Sequence, residues 1–176
     1  MRIELVNYIK KIINEYDVHT VLDVGGYDGY FAYKIASKKV EVLSIDIDNK
    51  FLDKYLKTNL IFRQISLENF YSKNKDKVFD LVVCENVLPF VPDLNNSITE
   101  LLSLSNILYL NIWGDKHIWA KGNNSVNINE IDIIKLKISE THEILEYKEK
   151  LYLTKTFATP NKLVNWHEFV ITAKRK

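Results

Sequence analysis

Val21-Leu-Asp-Val-Gly-Gly-Tyr-Asp-Gly-Tyr-Phe-Ala32 is the stretch that decides the fold. Val21, Leu22 and Val24 form the short apolar run of a strand buried on both faces. Gly25, Gly26 and Gly29 break that run, and Tyr30, Phe31 and Ala32 begin a helical pattern. A strand that turns through glycines into a helix brings free backbone N–H groups and a positive dipole end to the strand's C-terminal tip. In an open parallel sheet, ligands bind at that tip. The glycines let the backbone turn tightly and approach a ligand closely. The local pattern counts against two ligand classes. A nicotinamide dinucleotide fingerprint requires glycine at the first, third and sixth positions. Counted from Gly25 these are Gly25, Tyr27 and Tyr30, so the pattern fails. No Gly-Lys-Ser/Thr follows, so a triphosphate-cradling loop is absent.

Outward from this turn, strand and helix patterns alternate. A helix over residues 2–16 precedes it, with Ile3, Val6, Ile9, Ile12 and Ile13 at helical spacing. Beyond it come a strand ending at Asp46, a helix carrying Phe51, Leu52, Tyr55 and Leu56, and a strand over 59–65. A short helix starts at Glu68. Strand 78–84, helix 94–103 and strand 107–113 complete the alternation. Such alternation implies a parallel sheet with helices on both faces and right-handed crossovers. The last third changes character. A polar and aromatic loop spans 114–127, a helix covers about 128–136, and alternating runs at 143–156 and 166–173 read as an antiparallel hairpin at the sheet edge. No linker interrupts the chain, so residues 1–176 are expected to form a single domain. Its parts are an N-terminal helix (1–16), a ligand-binding core (20–113), and a substrate-side loop with the hairpin (114–176).

The 176 residues suffice for one hydrophobic core, and 47% are apolar. Lysine and arginine number 24 against 23 acidic residues, which leaves no strong electrostatic signal for nucleic acid. The N-terminal helix is amphipathic, so it reads as neither a signal peptide nor a membrane span. Cys84 is the only cysteine. It admits no intrachain disulfide and no multi-cysteine metal site, and it fits a reducing cytoplasm.

Asp23-Val-Gly-Gly-Tyr-Asp-Gly29 resembles the acid-x-Gly-x-Gly-x-Gly loop of class I S-adenosylmethionine-dependent methyltransferases, with Tyr27 at the central glycine. Val42–Asp48, Phe79–Asp93 and Ile107–Gly114 carry the likeness further, over roughly residues 15–115. The closing Trp166–Lys174 stretch is similar to the small tellurite-resistance and thiopurine-like members. The resemblance implies an α/β, Rossmann-like three-layer sandwich whose mostly parallel seven-stranded sheet ends in an antiparallel C-terminal hairpin. It implies S-adenosyl-L-methionine as cofactor. Asp23, Gly25, Gly26, Tyr27 and Gly29 would surround its methionine end, with Cys84 and Glu85 beside them. Asp46 would hold the ribose hydroxyls, Ile47 would flank the adenine, and Ser66 and Leu67 would lie at the adenine edge. Asp46 has a plainer reading as a turn residue.

Methyl transfer requires alignment and exclusion of water, and a base only when the nucleophile must lose a proton. His117 follows the fifth strand and His167 begins the last one, so these are the candidate catalytic residues. Each has an alternative reading as a plain loop or surface group. Tyr27, Phe90, Trp113 and Trp119 are aromatic candidates for the rim or for packing. The expected activity is methylation of a small-molecule acceptor by a monomer or homodimer, with no membrane partner and no metal. A catalytically silent cofactor-binding or regulatory protein and an RNA methyltransferase are the rivals.

Overall fold

The computed structural model describes residues 3–120, 124–154 and 163–176. Helix α1 (Ile3–Glu15) forms because Leu5, Val6, Ile9, Ile12 and Ile13 recur on one face, which the sheet buries. Then follow β1 (Thr20–Val24), α2 (Tyr30–Ile35), β2 (Glu41–Asp46), β3 (Leu60–Gln64), α3 (Leu67–Lys73) and β4 (Phe79–Glu85). The chain continues through α4 (Leu94–Leu104), β5 (Ser105–Trp113), α5 (Ile128–Thr141), β6 (His142–Thr154) and β7 (Val164–Arg175). Asp93 caps α4 through the Asn96 N–H, and Asn127 with Glu130 forms a reciprocal capping box on α5.

The seven strands form one sheet in the order β3-β2-β1-β4-β5-β7-β6. The first five are parallel, whereas β7 runs antiparallel between β5 and β6. This is the expected Rossmann-like sandwich with its antiparallel C-terminal hairpin. One sheet face packs Leu22, Ile45, Val82, Leu108 and Phe169 against α3, α4 and α5. The other packs Val21, Val42, Val83, Tyr109 and Val170 against α1 and α2. Strand residues alternate between these two cores with period two. No helix among the described residues is long and apolar enough to cross a membrane.

Two elements differ from the sequence reading. The helix expected to carry Phe51, Leu52, Tyr55 and Leu56 is only a 3-10 turn, Asp53–Tyr55. Phe51 leaves it to stack on Phe62, 4.7 Å between centroids. Lys57 ends it by donating to the Tyr33 and Ala36 carbonyls at the end of α2. Too few residues remain to repay helix nucleation. Helix α5, by contrast, runs on to Thr141, because Ile131, Ile134 and Ile138 keep helical spacing into the core. Residues 121–123 of the long loop, and 155 and 156 of the expected strand, lie outside the described residues.

Candidate functional site

The C-terminal tips of β1 and β2 form a rim held by backbone bonds. The Gly25 and Gly26 N–H groups both donate to the Ile45 carbonyl, at 2.8 and 3.1 Å. This ties the glycine loop to β2. Gly26 has no room for a side chain: a Cβ there would fall 1.7 Å from the Ser44 hydroxyl oxygen. Ser44 in turn donates to the Asp23 carboxylate at 2.8 Å. Gly29 has φ +83°, and a Cβ on it would strike the Phe51 ring. Tyr27 also holds a left-handed backbone, at φ 45°, a conformation that is costly for a bulky residue. Its side chain is 58% exposed, with the Lys50 ammonium 5.3 Å from the ring centroid.

Asp46 is the last residue of β2, and its carboxylate is oriented by the loop itself. One oxygen accepts from the Tyr27 N–H at 2.9 Å and the other from the Asp48 N–H at 2.8 Å. Each oxygen keeps further lone-pair capacity. Ile47, next in sequence, is 67% exposed beside it. Asp23 lies deeper, at 5% exposure. Burial pushes its carboxyl up to about 7, the Ser44 hydrogen bond opposes this, and Glu85 and Asp46 add repulsion.

Along the same rim, Glu85 closes β4, and Asn86 follows at φ 59°. The Asn86 side chain accepts from the Trp113 indole N–H at 2.9 Å. From Glu85 a groove of about 210 Å³ runs beneath the start of α1. Tyr109 and Val170 form its floor, Leu5 and Tyr8 its roof, and Glu146, Lys148 and Lys150 its outer edge. Asn111 pairs in register with Glu85 on one side and Val170 on the other.

Asp23, Gly25, Gly26, Tyr27, Gly29, Asp46, Ile47 and Glu85 therefore gather on one rim. Other expected site residues do not join them. The Cys84 side chain is buried with Leu88 in the opposite core, and burial pushes its thiol up. Strand alternation turns it away from the face that carries Glu85. Leu67 packs into that same core beside Phe70, and the Ser66 hydroxyl caps α3 by accepting from the Asn69 N–H. Their side chains serve the fold at the position expected for an adenine edge.

Both candidate bases are also enclosed. His117 stacks on Trp113, 4.2 Å between centroids, and meets Trp166 edge-on. Its Nδ1 accepts from the Trp119 N–H. The His167 ring fills the space over Gly114, where a Cβ would fall 2.1 Å from Nδ1. Its Nε2 lies 3.0 Å from Glu149, and its Nδ1 accepts from the Lys116 N–H with the Asp115 carboxylate 3.3 Å away. Both imidazoles lock the loop after β5 onto β7, and neither ring is open to a ligand. Of the aromatic candidates, Phe90 stays exposed and Trp113 is buried beneath it, 5.2 Å between centroids.

Ser44 and Asn111 were not singled out in the sequence, although each left a trace there. Ser44 interrupts Val42-Leu-Ser-Ile-Asp46 on the face that Asp23 occupies, and Asn111 interrupts an otherwise apolar strand. A polar residue inside a buried strand marks a partner or a ligand.

This geometry agrees with what the chain is similar to. Residues 22–104 match the family model described as a methyltransferase domain. The ubiquinone biosynthesis O-methyltransferase of Nitrosomonas europaea is 32% identical over 95 residues, 50% of this chain and 40% of that protein. The match thus spans well under half of that relative's length. Among solved structures, the N-methyltransferase NodS from Bradyrhizobium japonicum WM9, in complex with S-adenosyl-L-homocysteine, has a TM-score of 0.70 at 13% identity. That alignment covers 98% of this chain and 86% of the other. TehB from Haemophilus influenzae has a TM-score of 0.73 at 17% identity, over 97% of this chain and 62% of the other. Residues 22–104 are thus similar to a methyltransferase domain, and the fold of the chain is the one these solved structures have.

Proposed function

We propose that the protein binds S-adenosylmethionine on the β1–β2 rim and transfers its methyl group to a small-molecule acceptor. One observation carries this reading. The Asp46 carboxylate is held by the Tyr27 and Asp48 N–H groups with acceptor capacity to spare, at the tip of β2 beside the glycine loop. A vicinal diol offers two O–H donors to such a carboxylate, and charge-assisted bonds of this kind are the strong ones.

The neighbouring residues fit the rest of the cofactor. Ile47 offers an exposed apolar surface for a purine, and the Tyr27 ring stands over the same end of the rim. Asp23 suits the cationic amino group of the methionine end. An ammonium beside it would draw its raised pKa down and ionise it. When bound, S-adenosylmethionine would supply a sulfonium methyl group for in-line attack by an acceptor heteroatom, with the neutral thioether S-adenosylhomocysteine as the leaving group. The chain's own part is to orient the reactants and exclude water. With both histidines enclosed, Glu85 is the carboxylate placed to take the acceptor's proton where one must leave.

The groove's volume supports a small acceptor, and the near balance of charge gives little support to RNA. A cytoplasmic setting fits the single, buried, free Cys84. Calorimetric titration with S-adenosylmethionine tests the reading. Saturable heat at micromolar cofactor is expected, and no heat at millimolar cofactor would sink it.

A further inference from the structure

An unmet hydrogen-bonding group lies buried beside the groove under α1. Asn111 is 0% exposed, and neither its Nδ2 nor its Oδ1 has a hydrogen-bond partner. A buried amide with no partner destabilises the fold, and native structures rarely keep one without a reason. Its two cross-strand neighbours, Glu85 and Val170, both line the groove, as does Tyr109 two residues before it on the same face. The amide therefore lies on the sheet face that floors the groove, buried between Glu85 and Val170.

The lining narrows the ligand chemistry. Glu4, Glu85, Glu146, Lys148 and Lys150 surround the groove with charges of both signs. Lys150 has no carboxylate partner among the described residues. A flat apolar acceptor would desolvate these charges without pairing them. A phosphate would face three carboxylates, and a polycation would face two ammonium groups. A neutral molecule rich in hydroxyls meets both signs, donating to the carboxylates and accepting from the lysines. Tyr8 and Tyr109, with centroids 5.8 Å apart, add aromatic surface for the C–H face of such a ring.

We propose that this groove is the acceptor site and that the acceptor is a polyhydroxylated, sugar-like molecule whose hydroxyls satisfy Asn111 and reach Glu85. The inference rests on the methyl-transfer reading and deepens it by naming the acceptor class. An amide both donates and accepts, so it pairs with a hydroxyl in either sense.

Saturation-transfer NMR on the protein loaded with S-adenosylhomocysteine tests it. The probes are the methyl glycosides of glucose, galactose, mannose and N-acetylglucosamine, with catechol as the flat comparator. Transfer to the ring protons of at least one glycoside is expected, falling about fivefold in Asn111→Leu. Because its amide is unmet, Asn111→Leu is also expected to melt no lower than wild type without glycoside. Lys150→Met, at the outer edge, provides a second variant expected to weaken transfer. Transfer to catechol alone, to no probe, or undiminished in both variants overturns the proposal. So does a large drop in the melting temperature of Asn111→Leu, which would make Asn111 a structural group. Calorimetry with S-adenosylhomocysteine on the same sample separates the two readings. Heat from the cofactor product without glycoside transfer overturns the acceptor class alone, and absence of both overturns the reading beneath it.

Discussion

At the β1–β2 end of the rim, backbone N–H groups do the holding: Gly25 and Gly26 donate to Ile45, and Tyr27 and Asp48 to Asp46. At the β4–β7 end, side chains from α1, β4, β5, β6 and β7 surround a groove, and the Asn111 amide buried beside it is unmet. The first region comes from two short segments, the second from residues as far apart as Leu5 and Val170. The difference teaches which functions each end can vary. A backbone-built site is stiff and keeps one ligand. A side-chain-built groove can change its ligand by substitution without disturbing the fold.

Substitutions at the stiff end should therefore move stability strongly, beginning with Asp23→Asn. Burial favours the protonated form of Asp23, so its contribution to folding is complete below the ordinary carboxylate range. That contribution is lost as pH rises through about 7. An asparagine stays neutral throughout. Asp23→Asn should match wild type near pH 4 and exceed it at pH 8 by up to roughly 4 kcal/mol, read by urea unfolding of ligand-free protein. A constant difference across pH would mean that the carboxyl is not held protonated.

Gly29→Ala is the next largest. It forces an L side chain into φ +83° and against the Phe51 ring, and should cost about 2–3 kcal/mol. Adding Phe51→Ala should restore the steric share and leave the backbone share. Tyr27→Gly should work in the opposite direction, relieving a left-handed tyrosine and stabilising the protein by about 1 kcal/mol. If it destabilised instead, the ring's packing would outweigh the strain. At the groove, Lys150→Ala should leave stability within about 0.5 kcal/mol. A larger loss would erase the contrast between the two ends.

The same contrast explains what the sequence revealed. The glycine loop and Asp46 were legible because local spacing alone builds their geometry. Two glycines hold left-handed backbone, and the third leaves no room for a Cβ. Short, near-continuous apolar runs placed β1 and β4, and helical spacing placed α1. The enclosure of His117 and His167 was not legible, because nothing local shows that Trp113, Trp166 and Gly114 will close around them. Cys84 was misplaced by one step of strand alternation, which puts its side chain in the core while Glu85 faces the rim. The groove was illegible for a deeper reason. It exists only because β7 inserts antiparallel beside β5 and brings β6 with it, a long-range pairing that no single segment encodes.

The central claim is that Asp46 is a preset receptor for the cofactor's ribose. The dissociation constant of S-adenosylhomocysteine for Asp46→Ala against wild type, by calorimetry at one pH, tests it most directly. Loss of charged hydrogen bonds worth about 1.5–3 kcal/mol predicts an affinity more than tenfold weaker, with the fold intact by circular dichroism. An unchanged constant would contradict the account and leave Asp46 as a residue that only closes the turn between Tyr27 and Asp48.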